Sequence, residues 1–162
     1  MTREEEVVFQ EIWKSRVLSK VLVFSWTLIL DRIPTKLNLG KRWLLAIDES
    51  KWCVFCDIED ETGVHMFIHC HVISKVKREV MNWLQFNFIT PPNFILHINC
   101  WSSVLGSKKL KRRAQIIWHV VIWIIWRMRM IKARGVNEIV EQVKVISWQW
   151  CLNRLKIPSC LF

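Results

Sequence analysis

The stretch CVFCDIEDETGVHMFIHC, from Cys53 to Cys70, contains half of the six cysteines and two of the five histidines of this chain. Its first two cysteines are separated by two residues, and an acidic, turn-prone segment follows. His65, His69 and Cys70 then lie on an apolar run. Zinc takes four nitrogen or sulfur donors in a tetrahedron, and short spacings let two local turns supply two donors each. The stretch therefore predicts a Zn²⁺ site.

Spacing defines the first half of this site and leaves alternatives for the second half. Cys53 and Cys56 fit a knuckle turn that directs both thiolates at one metal. On an ideal helix His65 and His69 share a face, whereas His65 and Cys70 lie about 140° apart. The H-x4-C spacing still falls within the range of finger-type sites, and a thiolate is the softer donor. We predict Cys53, Cys56, His65 and Cys70 as ligands, with His69 as the runner-up; otherwise Cys70 is a small buried apolar residue.

The composition indicates a folded, cationic protein. With 52% hydrophobic residues, a chain of 162 residues can bury a core, which excludes a disordered chain. This length predicts one compact domain, or one domain with a small appended subdomain. The net charge of +10 and the pI near 9.7 favour partners that carry phosphate, either nucleic acid or an anionic membrane surface. The alternative is a solvated basic face without a ligand.

The N-terminal sequence bears on the compartment. The chain opens with Met-Thr-Arg-Glu-Glu-Glu, which is too acidic for a secretory signal or a transit peptide. We therefore predict an intracellular protein of the nucleus or cytoplasm that is not secreted. Thiols stay reduced in these compartments, so a C-x2-C pair is more typical of metal ligands than of a disulfide.

The segment most similar to a membrane span is the apolar run from Ala114 to Trp126. A membrane-spanning helix needs about 20 predominantly apolar residues, so this run is too short. It also contains Gln115 and His119 and is flanked by basic residues. We predict a buried core helix here and no membrane partner.

Three helices are predicted before residue 92. Ser19 can cap a helix through KVLVFSWTLILDR that stops because of Pro34. Thr35 can cap a short helix, KLNLGKRW. A third helix over residues 65–86 follows from the spacing of its apolar residues. Its predicted stripe contains Phe67, Val76, Val80 and Leu84.

The C-terminal part predicts two further helices. Ser107 can cap a long helix over residues 108–134, with Gly135 at the C′ position, where a left-handed residue belongs. Asn137 can open a last amphipathic helix that ends at Pro158. Its apolar face contains Ile139, Val143, Ile146 and Trp150. Because the link is short, we expect an antiparallel helical hairpin.

The predicted fold class is mainly α. It is a small helical domain with a zinc-knuckle loop, with the option of a short β-hairpin at the C-x2-C pair, and a C-terminal antiparallel helical hairpin. We assign residues 1–92 to a helical lead plus the zinc knuckle, whose core is residues 50–75. Residues 93–162 form a linker and the hairpin, and the whole is expected to be one compact unit.

Basic residues cluster at both ends of the long predicted helix. The first group contains Lys108, Lys109, Lys111, Arg112 and Arg113, and the second contains Arg127, Arg129, Lys132 and Arg134. Such patches neutralise phosphates and give salt-sensitive, sequence-independent binding to RNA or DNA. Lysines at a helix start oppose the macrodipole, so helix stability does not explain the first group. We predict Lys108, Lys109, Lys111, Arg112, Arg113, Arg127 and Arg129 as nucleic-acid contacts.

The eleven tryptophans are a second group of candidates, because tryptophan can stack on unpaired bases. Trp118, Trp123 and Trp126 lie in the most apolar run of the chain, so we predict that they pack in the core. Trp52 precedes the first zinc ligand and is the better candidate for an exposed ring.

Three stretches together resemble a known family. KVLVFSWTLILDRIPTKLNLGKRW, CVFCDIEDETGVHMFIHC and IIWHVVIWIIWRMR are similar to the reverse transcriptase zinc-binding domain. That module lies C-terminal to the polymerase in plant LINE-type (non-LTR) retrotransposons, and the resemblance covers nearly the whole chain. It places the family's ligand pattern on Cys53, Cys56, His65 and Cys70, and implies that the parent polyprotein is an RNA-directed DNA polymerase. The chain departs from the family pattern at Leu18 and Trp43.

The sequence indicates no catalytic residues. It has no tyrosine, so a Tyr-x-Asp-Asp polymerase motif is absent, and its acidic residues form no spaced set for two-metal chemistry. No Gly-rich phosphate loop is present either. We predict a non-catalytic zinc module that binds nucleic acid weakly and without sequence preference. The alternatives are a structural zinc domain that docks on protein, such as the rest of its polyprotein, and a relic fragment without a present function.

Overall fold

A computed structural model describes residues 3–46, 49–87, 89–103 and 106–155. Over these residues the protein is mainly helical, which confirms the predicted fold class. The helices are α1 (Arg3–Lys14), α2 (Ser19–Ile29), α3 (Lys36–Lys41), α4 (His71–Trp83), α5 (Phe94–Ser103), α6 (Lys108–Met130) and α7 (Val136–Leu155). A single π-helical turn, His65–His69, precedes α4.

The predicted N-cap of α2 is wrong, and the predicted N-cap of α3 is confirmed. Leu18, not Ser19, is the N-cap residue of α2, and no side chain caps that helix, so the Ser19 prediction is wrong. The helix also ends at Ile29, before the predicted limit, and the left-handed backbone of Asp31 (φ 49°) turns the chain. The Thr35 prediction is confirmed, because its hydroxyl accepts a hydrogen bond from the backbone N–H of Asn38 at 3.2 Å.

The helix predicted over residues 65–86 is interrupted. Cys70 has an extended ψ of 123°, so the π turn before it and α4 after it are separate elements. The apolar stripe is confirmed within α4, where Val76 and Val80 are fully buried, and Leu84 packs against the core at the helix end. The interruption matters because it sets the direction of the Cys70 side chain.

The long helix α6 starts as predicted and ends early. The Ser107 hydroxyl accepts from the N–H of Leu110 at 3.2 Å, which confirms this cap. At the other end, Lys132 has a φ of 55°, and Ala133 N–H donates to Met128 O at 3.0 Å. These are features of a Schellman motif with Lys132 at C′. The prediction that Gly135 occupies C′ is therefore wrong. Instead, the carbonyl of Gly135 accepts a hydrogen bond from the N–H of Ile139 at 3.1 Å, in the first turn of α7.

The core brings together side chains from α1, α2, the π turn, α4, α5, α6 and α7. α6 is its central helix, with Trp118 buried at 1% exposure and Trp123 and Trp126 packed against the core, as predicted. α6 and α7 pack as a hairpin, and the predicted α7 face contacts the core through Ile139, Val143, Ile146 and Trp150. The predicted end of α7 at Pro158 lies outside the described residues.

Two histidines are part of this core. The Ser25 hydroxyl lies 2.7 Å from Nδ1 of His119, and Trp118 Nε1 donates to Nδ1 of His97 at 3.0 Å. Burial lowers the pKa of His119 to about 3, so this imidazole is neutral at physiological pH. In the part of the chain that the structure describes, no helix combines the length and apolarity needed to cross a membrane.

Candidate metal centre

The C-x2-C pair lies in a tight turn. The N–H of Cys53 donates to Glu59 O at 2.7 Å, and the N–H of Asp57 donates to Cys53 O at 2.9 Å. Asp57 has a left-handed φ of 53°, a conformation that aspartate tolerates better than most residues. The predicted β-hairpin is reduced, among the described residues, to one antiparallel bridge between Trp52 and Asp60.

The π turn presents the second pair of ligands. In a π-helix the hydrogen bond joins residues i and i+5, and here the N–H of Cys70 donates to His65 O at 2.6 Å. This wide turn brings Cys70 close to His65, although an ideal α-helix would separate them by about 140°. His69, the runner-up ligand, is exposed and lies outside the cluster.

The four predicted ligands converge. One donor atom from each of Cys53, Cys56, His65 and Cys70 lies within 4.8 Å of the others. Zn–S bonds of about 2.3 Å place tetrahedral sulfurs about 3.8 Å apart, so a small contraction would fit zinc. Cys53 and Cys70 are fully buried, and Cys56 Sγ lies 3.3 Å from His65 Nε2. The donor set of three thiols and one imidazole is typical of structural zinc.

Hydrogen bonding within the cluster perturbs the thiols. A hydrogen bond to Cys70, together with burial, raises the pKa of the Cys53 thiol. The same bond lowers the pKa of the Cys70 thiol. Of these two thiols, Cys53 therefore holds its proton more tightly, and the hydrogen bond runs from Cys53 toward Cys70. Zinc binding would replace this shared proton, because a coordinating thiol is deprotonated.

Glu59 lies behind His65, the predicted histidine ligand. Its Oε2 is 3.1 Å from Nδ1 of His65, which is an ion-pair distance without an aligned hydrogen bond. Nε2 faces Cys56 on the other side of the ring. A carboxylate at Nδ1 favours the tautomer that leaves Nε2 for the metal. Glu59 is thus positioned to orient His65.

A buried lysine supports the π turn from α4. Nζ of Lys77 donates to the carbonyls of Phe67 at 2.7 Å and Ile68 at 3.2 Å. Burial lowers the pKa of this ammonium group to about 7. The sequence analysis did not identify Lys77, although a cation between the apolar positions Val76 and Val80 was the available signal.

Glu61 connects the knuckle to two helices. Its buried carboxylate accepts from Arg129 Nη2 at 2.6 Å and Nε at 3.1 Å, and from the backbone N–H of Lys36 at 3.0 Å. The N–H of Val54 also donates to it, at 3.4 Å. Arg129 and Glu61 are 68 residues apart in the sequence, so sequence analysis did not predict this contact.

The two groups of basic residues therefore have different surroundings. At the end of α6, Arg129 pairs with Glu61, and Arg134 pairs with Asp57 in the same acidic loop. Arg129 was predicted to contact nucleic acid, but only 12% of its side chain is exposed. At the start of α6 the structure leaves Lys108, Lys109, Lys111 and Arg112 exposed, and Arg127 is exposed on the same helix. Arg113 is partly buried.

Comparison with known families adds to this geometry. Residues 1–76 match the family model for zinc binding in reverse transcriptase. This segment is similar to the reverse transcriptase zinc-binding domain. The match contains all four clustered ligands and ends within α4, so the IIWHVVIWIIWRMR stretch of α6 lies beyond it. Comparison with curated proteins and with solved structures gave no match.

The match defines the role of the family in general terms. A reverse transcriptase zinc-binding domain is an accessory domain, distinct from the domain that carries out polymerisation. Its cofactor is zinc, and the Cys53, Cys56, His65 and Cys70 cluster is a group that can hold a metal ion.

Proposed function

We propose that this protein is a non-catalytic zinc module that binds nucleic acid weakly and without sequence preference. The observation that carries the proposal is the cluster of three cysteines and one histidine within 4.8 Å, inside the segment that matches the family. Cys53, Cys56, His65 and Cys70 would supply all four ligands. Four protein ligands leave no open position for substrate, which is the arrangement of a structural zinc site.

The absence of catalysis has further support. In the described part of the chain, this cluster is the one group of three or more convergent His, Cys, Asp or Glu side chains. Glu61, the most buried carboxylate near the site, is neutralised by Arg129 and backbone donors. Neither arrangement provides the paired, accessible carboxylates of two-metal phosphoryl transfer.

Nucleic-acid binding is supported by the exposed cations at the start of α6. Lys108, Lys109, Lys111 and Arg112 are exposed within five consecutive residues, and Arg127 adds a further exposed cation on the same helix. Their partners would be the phosphates of RNA or DNA. We place the protein inside the cell, as part of or derived from a LINE-type plant retrotransposon polyprotein.

A second candidate function is docking on protein. Trp43 and Leu44, after α3, are 93% and 68% exposed, and Trp52 beside the zinc site is 54% exposed. Exposed aromatic residues of this kind are frequent at protein interfaces. The partner would be the rest of the reverse transcriptase polyprotein.

Salt dependence tests the nucleic-acid proposal. A variant combining Lys108→Gln, Lys109→Gln, Lys111→Gln and Arg112→Gln removes four exposed charges. Its log affinity for a labelled single strand, plotted against log salt, should have a slope flatter by about 3 than that of the wild type. The measurement is fluorescence anisotropy over a salt series.

The matched control combines Lys41→Gln, Arg42→Gln, Lys75→Gln and Arg78→Gln, four exposed cations on α4 and at the end of α3. It has the same net charge as the test variant, and its slope should remain near that of the wild type. Binding that ignores salt, or that the first variant leaves unchanged, would favour docking on protein.

A further inference from the structure

A cationic cleft lies between α1, α5 and the start of α6. It has a volume of about 710 Å³, and its floor contains the apolar residues Val8, Ile98 and Ile116. Its basic lining residues come from three segments and are Lys14, Arg16, Lys108, Lys111 and Arg112. The exposed patch at the start of α6 is therefore one wall of a larger concave site.

Among the lining residues that the structure describes there is one carboxylate, and that group already has partners. Glu11 Oε1 lies 3.5 Å from Lys14 Nζ, and Gln115 Nε2 donates to Glu11 Oε2 at 3.2 Å. Five cations against one engaged carboxylate leave the cleft strongly positive. Low-dielectric walls around such a cleft focus the field, so its ligand should be polyanionic.

An exposed aromatic ring lies next to the cleft-lining residue Lys14, on another face of α1. Trp13 is 51% exposed, and it lines a shallow depression that shares Lys14 with the cleft. One side of the ring is supported by Trp26, with the ring centroids 6.3 Å apart and the planes tilted by 52°. A ring held in this way retains surface on which a planar group can stack.

We infer that the cleft binds the backbone of a single-stranded nucleic acid and that Trp13 stacks on one of its bases. This inference rests on the proposed nucleic-acid function and gives it a site and a preferred strand form. A cationic groove beside an aromatic platform is how proteins bind single strands without sequence preference. Bases within a duplex are already stacked, so Trp13 would add nothing to duplex binding.

The first test addresses Lys14 and Arg16, the cleft residues that the sequence analysis did not predict as nucleic-acid contacts. In Lys14→Gln/Arg16→Gln, the salt slope for a labelled oligouridine of about 12 nucleotides should flatten by about 1.4, or about 0.7 for each lost contact. Lys75→Gln/Arg78→Gln removes the same charge from the exposed face of α4 and should retain the wild-type slope.

The second test addresses stacking. Trp13→Leu should weaken binding of the same oligonucleotide about tenfold, whereas Trp13→Phe, which keeps an aromatic face, should recover most of the loss. Trp43→Leu removes a ring that is 93% exposed elsewhere and should leave the affinity unchanged. Neither Trp13 substitution should alter binding to a duplex of equal length.

The outcomes separate this inference from the function on which it rests. If the Lys108–Arg112 variant loses binding while Lys14→Gln/Arg16→Gln and Trp13→Leu bind as the wild type does, the cleft inference is overturned and nucleic-acid binding stands. The inference is also overturned if a duplex binds as tightly as the single strand and is equally affected by Trp13→Leu. If the wild type shows no salt-dependent binding to any oligonucleotide, the proposed function itself fails.

Discussion

Glu61 lies in the loop between the two halves of the candidate zinc site, and no part of its side chain is exposed. A carboxylate in such a place remains charged only if donors surround it. Arg129 supplies two N–H groups, and the backbone of Lys36 supplies a third. These contacts fix the acidic loop to the end of α6 and to the first turn of α3.

The contribution of Arg129 to stability can be tested by substitution. Arg129→Met should lower the free energy of unfolding by about 3–5 kcal/mol, because it leaves Glu61 buried without its ion-pair partner. The measurement is urea denaturation at equilibrium, in buffer saturated with zinc.

Arg134→Met is the matched control for Arg129→Met. Arg134 pairs with Asp57 in the same loop, but half of each side chain is exposed. Loss of an exposed pair should cost about 0–1 kcal/mol. If the two variants lose equal stability, the Glu61–Arg129 pair does not hold the loop as the structure indicates.

At the scale of elements, the end of α6 differs most from the sequence-based expectation. Lys132 occupies the left-handed C′ position, and Gly135 has no positive φ. A Cβ atom at Gly135 would meet its nearest neighbours, both atoms of Glu138, at 3.5 Å, which is an ordinary contact. Gly135 therefore has neither a conformational nor a steric need to be glycine.

A substitution at Gly135 should change the stability in opposite directions depending on whether Lys132 or Gly135 occupies the left-handed C′ position. Gly135→Ser should raise the free energy of unfolding by about 0.4–1 kcal/mol, because serine restricts the unfolded chain and is a favoured N-cap residue at the start of α7, where the Gly135 carbonyl accepts from Ile139 N–H. Thermal unfolding monitored by circular dichroism provides the measurement. A clear loss of stability would mean that Gly135 is left-handed, as the sequence analysis predicted.

Local signals were sufficient for part of the fold. Thr35 and Ser107 were predictable as caps because each hydroxyl bonds a backbone N–H three residues later. The ligand spacing was also readable, and all four predicted side chains converge. His65 and Cys70 converge because the backbone forms a π turn, which the apolar periodicity of the segment did not reveal.

Long-range contacts account for what sequence analysis missed. Glu61 and Arg129 are far apart in sequence, and nothing local to either residue predicts their pairing. Lys77 lies on the buried side of α4 because its ammonium group reaches carbonyls of the preceding turn. The basic cleft requires α1 and α6 to be adjacent, and their sequences alone do not show this.

At the scale of the whole molecule, the net charge is +10, and pairing within the fold neutralises only some of the cations. The acidic loop neutralises Arg129 and Arg134 near the metal centre, whereas the start of α6 and the cleft beside α1 retain exposed cations. Nucleic-acid binding is therefore expected at the opposite end of α6 from the zinc site. The division into residues 1–92 and 93–162 stays a prediction.

We expect one zinc to join the knuckle turn to the π turn. Structural zinc contributes about 10–16 kcal/mol of binding free energy in isolated finger peptides, so loss of one ligand should release the metal and loosen residues 50–75. Cys70 is buried in the ligand cluster, whereas the neighbouring His69 is exposed. Cys70→Ser and His69→Gln therefore form a matched pair of variants at adjacent positions.

The most direct test is the zinc content of the intact protein, measured by native mass spectrometry on the wild type and these two variants. The structure predicts one zinc per chain in the wild type and in His69→Gln, and loss of stoichiometric zinc in Cys70→Ser. Limited proteolysis should then cut Cys70→Ser within residues 50–75 and spare the other two proteins. A wild type without zinc, or a Cys70→Ser variant that keeps zinc while His69→Gln loses it, would contradict this assignment.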